Sequence, residues 1–388
     1  MSITAESRGS NVDRRGIRRG MGVALACALL TFTFGGPWCS FAQVLPAGTT
    51  GTQMDRAGNG VPVVQIAAPN GRGVSHNQYQ QFNVDPSGLI LNNSAGTVRS
   101  QLGGYIEGNP NLGGTPAGII LNEVTSLQPS QLRGYLEVAG PRAEVIVANP
   151  NGITCEGCGF INTSRGVLTT GTPVFGGDGS LSAFRVSRGR ITVQGQGLDG
   201  SGTGRIDLLA RAVEINAGLW ANKLNIVTGA NEVGHADLSA RAIQGEGEAP
   251  QFSLDVAGLG GMYAQKIRLV GTEAGVGVRS AGALVAQGGD FVLTSAGDIR
   301  LSGRTAAAGD ARIAGQGTVE LSGTTSAEGR LTVEGAQIAL GGTNYAGWQL
   351  QAISSGALTQ SGQTLSEGAA ELRGHVVRVD GAVQGDTL

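Results

Sequence analysis

Lysine is nearly missing from this chain: Lys223 and Lys266 are the only two in 388 residues. Charged side chains of all kinds make up 14 % and the formal charge is −2, so the basic face that nucleic-acid binding needs is absent and no nucleic-acid partner is expected. The charge density is also far too low for a disordered polyelectrolyte. Aromatic residues are 4 % against 67 glycines, so large rings cannot fill a wide globular core. Glycine and proline recur too often for sustained helix. What is left suits a narrow core of small β-branched and aliphatic side chains under a surface of Ser, Thr, Asn and Gln. The length allows two average domains or one elongated one.

Residues 1–42 read as an export signal. Arg14, Arg15, Arg18 and Arg19 form its basic head, and Met21 to Phe34 its apolar run, which is too short to span a membrane permanently. Ser40 and Ala42 are the small residues at −3 and −1 that place cleavage between Ala42 and Gln43. The paired arginines lack the Ser/Thr-Arg-Arg-x-Phe-Leu context of folded-state export, so the general secretory machinery is the expected partner here. The signal carries five arginines against Glu6 and Asp13, and its removal moves the formal charge from −2 to −5. Cys27 and Cys39 leave with it, and Cys155 and Cys158 remain in an oxidising compartment.

The remaining chain reads as short strands. Val61 to Ile66, with its early Pro62, suits an edge or capping strand. In His76 to Val84, Phe82 and Val84 face one way while Tyr79 is out of step. Phe184 to Val186 reads as one more strand of the series, and residues 229–252 as a loop laid on the surface. Val145, Ile146 and Val147 form a strand that breaks at Asn149-Pro150-Asn151-Gly152, where Pro150 fixes its own φ and Asn151 and Gly152 tolerate positive φ. Ile153 then starts the next strand. A weaker copy of the turn lies at Asn109-Pro110-Asn111-Leu112. On residue chemistry alone both turns are structural, with Asn109 and Asn149 satisfying backbone groups at corners.

From residue 286 onward the pattern becomes periodic. A small residue followed by glycine recurs at Gly303, Gly323, Gly342, Gly362 and Gly381, in steps of 20, 19, 20 and 19. Units this short cannot bury a core alone, so they stack, and without helix the stack is a parallel β-solenoid. At one strand spacing per coil the exported chain would make roughly seventeen coils and a rod on the order of 80 Å long. The aperiodic N-terminal segment is its natural cap. The rhythm stops at Gly385 to Leu388 without a polar cap, which fits a piece of a longer rod; a late frameshift would leave the same ending.

Catalytic chemistry has little to stand on. His76, His235 and His375 are scattered. Asp290, Asp298 and Asp310 are the nearest to the acidic clusters of β-helical polysaccharide lyases and hydrolases, but each flanks a glycine as turn residues do. A polysaccharide-degrading enzyme is therefore the alternative reading, and no catalytic residue, metal or cofactor is expected. The Cys155-Glu-Gly-Cys158 pair lacks the second pair that zinc wants and the following helix that a redox site wants. A local disulfide across a tight turn remains.

Taken in order, Asn109 to Leu112, Ala148 to Ile153 and Cys155 to Thr163 resemble the secretion domain of two-partner secretion exoproteins, the filamentous haemagglutinin-like adhesins and contact-dependent growth-inhibition proteins. Gly73 to Asn77, Gln81 to Val84, Gly171 to Pro173, Gly229 to Asn231, Gly261 to Tyr263 and Gly275 to Arg279 support it. The resemblance covers roughly residues 44 to 285, and it divides the chain into signal 1–42, secretion domain 43–285 and haemagglutinin-type β-helical repeats 286–388. It implies an all-β, right-handed parallel β-helix with an N-terminal cap and extra-helical strands. It implies a cognate outer-membrane β-barrel transporter that recognises the chain through periplasmic domains. The Asn109–Leu112 and Asn149–Ile153 motifs then serve secretion, and the chain folds at the bacterial cell surface, with host or bacterial cell-surface receptors as further partners. The cysteine pair leans toward the growth-inhibition side of the family.

Overall fold

The structure, a computed structural model, describes residues 44–387; the signal and the Ala42–Gln43 junction lie outside the described residues. Among these there is no α-helix, only a single 3-10 turn at Pro110–Leu112 among forty-two strands. The chain winds as a right-handed parallel β-helix of three faces and about thirteen turns. One turn shows the plan: Ala283–Ala286 lies on the first face, Phe291–Ser295 on the second and Ile299–Leu301 on the third. Each pairs in parallel with the strand one coil on, Arg304–Ala307, Ala311–Gly315 and Thr318–Leu321. The expectation of seventeen coils is thus too high, and the stack is about 60 Å long. The early coils carry insertions, so the 19–20-residue step of the C-terminal coils does not hold along the whole chain.

Inward side chains form the ladders that a parallel stack requires. Phe291, Ala311, Leu331, Leu350 and Ala370 follow one another through five coils, all buried. The periodic glycines turn the corner onto the first face. A Cβ on Gly323 would sit 2.0 Å from the carbonyl oxygen of Gly303, and one on Gly342 would sit 1.8 Å from that of Gly323. Any side chain there would push the coils apart, which is why the repeat is marked by glycine and not merely by a small residue.

The N-terminal end is closed by antiparallel pairing. Val44–Pro46 pairs with Val74–Phe82, and Gln53–Arg56 pairs with Pro62–Gln65. The Pro62 strand is the first of face one, bonded in parallel to Leu89–Asn92 on its other side. Tyr79 is fully buried and its ring meets Phe82 at 4.9 Å. It is in step after all, because a register shift opposite Gln80 lets both rings point inward.

Two extra-helical pieces clothe the coils. A hairpin of Val98–Ser100 and Gly104–Ile106 covers Val63, Ile90 and Ala139 on the outside of face one. Its turn is held by the buried Glu137 carboxylate, which accepts from Ser100 Oγ at 2.7 Å and from the Gln101 and Leu102 amides at 2.6 and 2.8 Å. A four-stranded antiparallel sheet of Thr172–Phe175, Leu181–Val186, Asn231–Gly234 and Ala240–Ala242 lies over face two. Phe184, Val186 and Val233 meet Leu121, Ile146 and Val167 there. This sheet corrects two expectations. Phe184 to Val186 belongs to it and not to a coil, and residues 229–252, expected as a loop, contribute two of its strands. It also explains why Ala143–Ala148 is buried at every position: face two is covered on both sides.

Candidate functional site

The two Asn-Pro-Asn turns share one construction. In each, the first Asn accepts from the amide two residues on: Asn109 Oδ1 from Asn111 N at 2.9 Å, Asn149 Oδ1 from Asn151 N at 3.0 Å. In each, its Nδ2 reaches another coil. Asn109 donates to the carbonyls of Ile66 and Asn92, both at 2.9 Å. Asn149 donates to Gln128 O and Ser130 Oγ, both at 2.9 Å. The third residue repeats the gesture: Asn111 Nδ2 reaches Gly51 O at 2.9 Å, and Asn151 Nδ2 reaches Ser126 O at 2.7 Å. Asn109 and Asn149 are buried, and Leu112 and Ile153 enter the main core behind them. Gly152 takes φ +112, Pro110 is exposed and Pro150 is half-buried.

The turns are not brought together. The first lies where face one gives way to face two, the second where face two gives way to face three, on a later coil. Asn111 also borders a surface groove with Thr50, Gly51, Ala67, His76 and Phe175. From the second turn the chain crosses face three as Ile153–Cys155 and meets the next corner, where Cys155 and Cys158 are disulfide-bonded with Cα atoms 5.3 Å apart. Cys155 is buried in a ladder between Leu132 and Val193.

The acidic residues weighed for catalysis serve the backbone. Asp298 Oδ1 accepts from the Thr318 amide at 2.9 Å, Asp310 Oδ1 from that of Arg330 at 2.8 Å, and Asp290 Oδ1 from that of Asp310 at 3.3 Å. The Lys266 ammonium and the Asp310 amide hold the Asp290 carboxyl below the usual carboxylate range. No group of three or more potential metal ligands occurs among the described residues.

Sequence reasoning missed a charged network under the extra-helical sheet. Arg165 meets Asp207 at 2.5 Å and Glu144 at 3.2 Å, and Arg165 Nη1 donates to His235 O at 2.8 Å. His235 Nε2 lies 2.8 Å from Glu144 Oε1, and Arg205 lies 3.0 Å from Asp207. Asp207 is fully buried. The available signal was Glu144, a lone charge within an otherwise apolar strand, and the Arg205 and Asp207 charges at the head of another. Their function is to fasten the sheet to face two, since a buried charge without its partner costs about 3–5 kcal/mol.

A capped β-helix with its distinctive motifs engaged in its own corners defines a structural module. The family model of the TPS secretion domain matches residues 42–301. The tRNA nuclease CdiA of Escherichia coli (strain STEC_O31) is 48 % identical over 258 residues, 66 % of this chain and 8 % of that protein. The 16S rRNA endonuclease CdiA of Enterobacter cloacae is 49 % identical over 268 residues, 69 % of this chain and 8 % of that protein. The chain therefore spans less than a tenth of the length of these relatives. The crystal structure of the filamentous hemagglutinin secretion domain superposes with a TM-score of 0.57 at 30 % identity, over 87 % of this chain and 99 % of that one. This chain belongs to the two-partner secretion (TPS) secretion domain family.

Proposed function

We propose that the chain is the secretion domain and adjoining repeats of an exoprotein delivered by two-partner secretion. The signal directs it to the general secretory machinery and is removed between Ala42 and Gln43. In the periplasm the chain is met, unfolded or extended, by the periplasmic domains of a cognate outer-membrane β-barrel transporter. It then folds at the cell surface. The division at 285/286 belongs to the same reading: from Ala283 onward the first-face strands recur every 19–21 residues without insertion, although the family model runs on to residue 301. An adhesin or a contact-dependent inhibition toxin is the fitting kind of whole protein, with cell-surface receptors as its targets.

The observation that carries this is the engagement of the Asn109 and Asn149 side chains. Once the chain is folded their donors are bonded to groups on other segments and their acceptors to the amide two residues on, so a transporter reading these side chains must do so earlier. Folding then withdraws them. Because a stack propagates from one coil to the next, folding outside biases movement outward, with the capped end as nucleus. Co-expression with the transporter tests the reading: removing residues 44–285 abolishes surface display while signal cleavage continues, and undiminished display refutes it. The polysaccharide-cleaving alternative gains nothing from the geometry, because Asp290, Asp298 and Asp310 are bound to backbone amides.

A further inference from the structure

Both sulfurs of the Cys155–Cys158 bridge lie inside the coil. Cys155 is fully buried, Cys158 is 3 % exposed, and both belong to the main core. The preceding coil supplies Leu132, the register partner of Cys155, and the Glu156 amide donates to the Leu132 carbonyl at 2.9 Å. The following coil closes the other side. Val193 pairs with Cys155 and Leu198 with Cys158. The Gln194 amide donates to Cys155 O and the Gly157 amide to Gly197 O, both at 2.9 Å. That Gly197 carbonyl oxygen also sits 3.2 Å from Cys155 Sγ. Between the two cysteines, Glu156 and Gly157 are half-buried at the tip of the corner.

Thiol–disulfide exchange needs an attacking group in contact with sulfur, so its rate depends on access. In the folded chain, residues 193–198 on one side and the core on the other fill that approach. An oxidant reaches the two thiols before this segment has docked, and a reductant reaches the bridge after the segment has left. A bridge between exposed cysteines would have neither property. Coils form in succession, so this corner stays open on one side until the next coil arrives.

We infer that the Cys155–Cys158 bridge closes before residues 193–198 dock on it, and that docking then seals it against exchange. Closure is two successive exchanges with a disulfide oxidant. One cysteine thiolate attacks the oxidant, forming a mixed disulfide and releasing one thiolate. The second cysteine thiolate attacks the mixed disulfide at the cysteine sulfur and releases the other. The cysteines lose two protons and two electrons, and the oxidant leaves as two thiols. In the secretion reading the unfolded chain meets its oxidant in the periplasm. The order of closure and docking does not rest on that reading, and its test needs no transporter, so the two fail separately.

The test uses the processed chain, in which these are the only cysteines. The folded, bridged chain is incubated with dithiothreitol in native buffer and in guanidinium, and the thiols released are counted by maleimide mass tagging. Reduction in native buffer is on the order of a hundredfold slower, as for a site reached through local opening. Conversely, the reduced chain is diluted from guanidinium, and oxidised glutathione is added either at once or after the far-UV β signal has recovered. Early addition gives the bridge, and late addition leaves two thiols. A reduced chain that recovers no β signal also supports the order, since closure must then come first. Reduction of the folded chain as fast as in guanidinium overturns the inference. Equal bridging by early and late oxidant, in a chain whose β signal has recovered, overturns it too.

Discussion

The carbonyl oxygen of Gly303 lies 2.0 Å from the place a Cβ on Gly323 would occupy. The same approach recurs one coil on, so the solenoid's pitch at this corner is set by backbone against backbone. Gly323→Ala must separate two coils, at a cost of about 1–3 kcal/mol. Gly177→Ala, at an exposed loop position with nothing within 4 Å, stays within about 0.5 kcal/mol of the parent. Denaturant midpoints of the two variants check the contrast.

Asn149 ties its own turn to the 128–130 segment of the preceding coil through Gln128 O, Ser130 Oγ and the Asn151 amide. Asn149→Ala leaves the buried Ser130 hydroxyl and the part-buried Gln128 and Asn151 backbone groups without these bonds and lowers stability by about 1–3 kcal/mol. Asn149→Asp keeps the acceptor for Asn151 but sets a carboxylate against the Gln128 carbonyl, and it costs at least as much. Equilibrium unfolding of both variants measures this; a stability equal to the parent contradicts the inter-coil role.

The stacked, helix-free architecture was legible because glycine marks every C-terminal corner, and steric exclusion at that corner admits nothing larger. The coil number was not legible, because residues 93–117, 171–187 and 229–251 leave the helix between one face and the next. Phe184 carries the same β-forming signal in the extra-helical sheet as Phe291 does in a coil, and only tertiary covering separates them. The corner role of Asn109 and Asn149 followed from side-chain chemistry. The partners Ile66, Asn92, Gln128 and Ser130 are set by coil register, which residue type alone does not encode.

The Cys155–Cys158 bridge closes a four-residue loop, so its loop-closure contribution is about 2 kcal/mol. Cys155 lies in a ladder with Leu132 and Val193, and the coil is held there by parallel pairing on both sides. The double Cys→Ala variant therefore keeps its far-UV spectrum and loses stability without losing the fold. Collapse of the β signal on reduction contradicts this.

Burial holds the Tyr79 hydroxyl well above the ordinary tyrosine value of 10.0, while Tyr79 donates to Asn122 Oδ1 at 3.0 Å. The folded state thus favours the neutral phenol. That contribution is fully present below pH 10 and is lost as pH rises beyond it, since the unfolded chain gives up the proton first. Tyr79→Phe costs about 1–3 kcal/mol at neutral pH through the unpaired Asn122 oxygen. It also flattens the fall in stability above pH 10, which parallel denaturation series at pH 8 and pH 11 resolve.

The central claim, that folding withdraws the Asn109 and Asn149 motifs from the transporter, is tested most directly by one binding measurement. The transporter's periplasmic domains are mixed with the processed chain just diluted from denaturant and, separately, with the fully folded chain, and association is followed by fluorescence anisotropy. Binding by the unfolded chain that decays as coils form, with none by the folded chain, is the predicted result. Equal binding by the folded chain contradicts the claim.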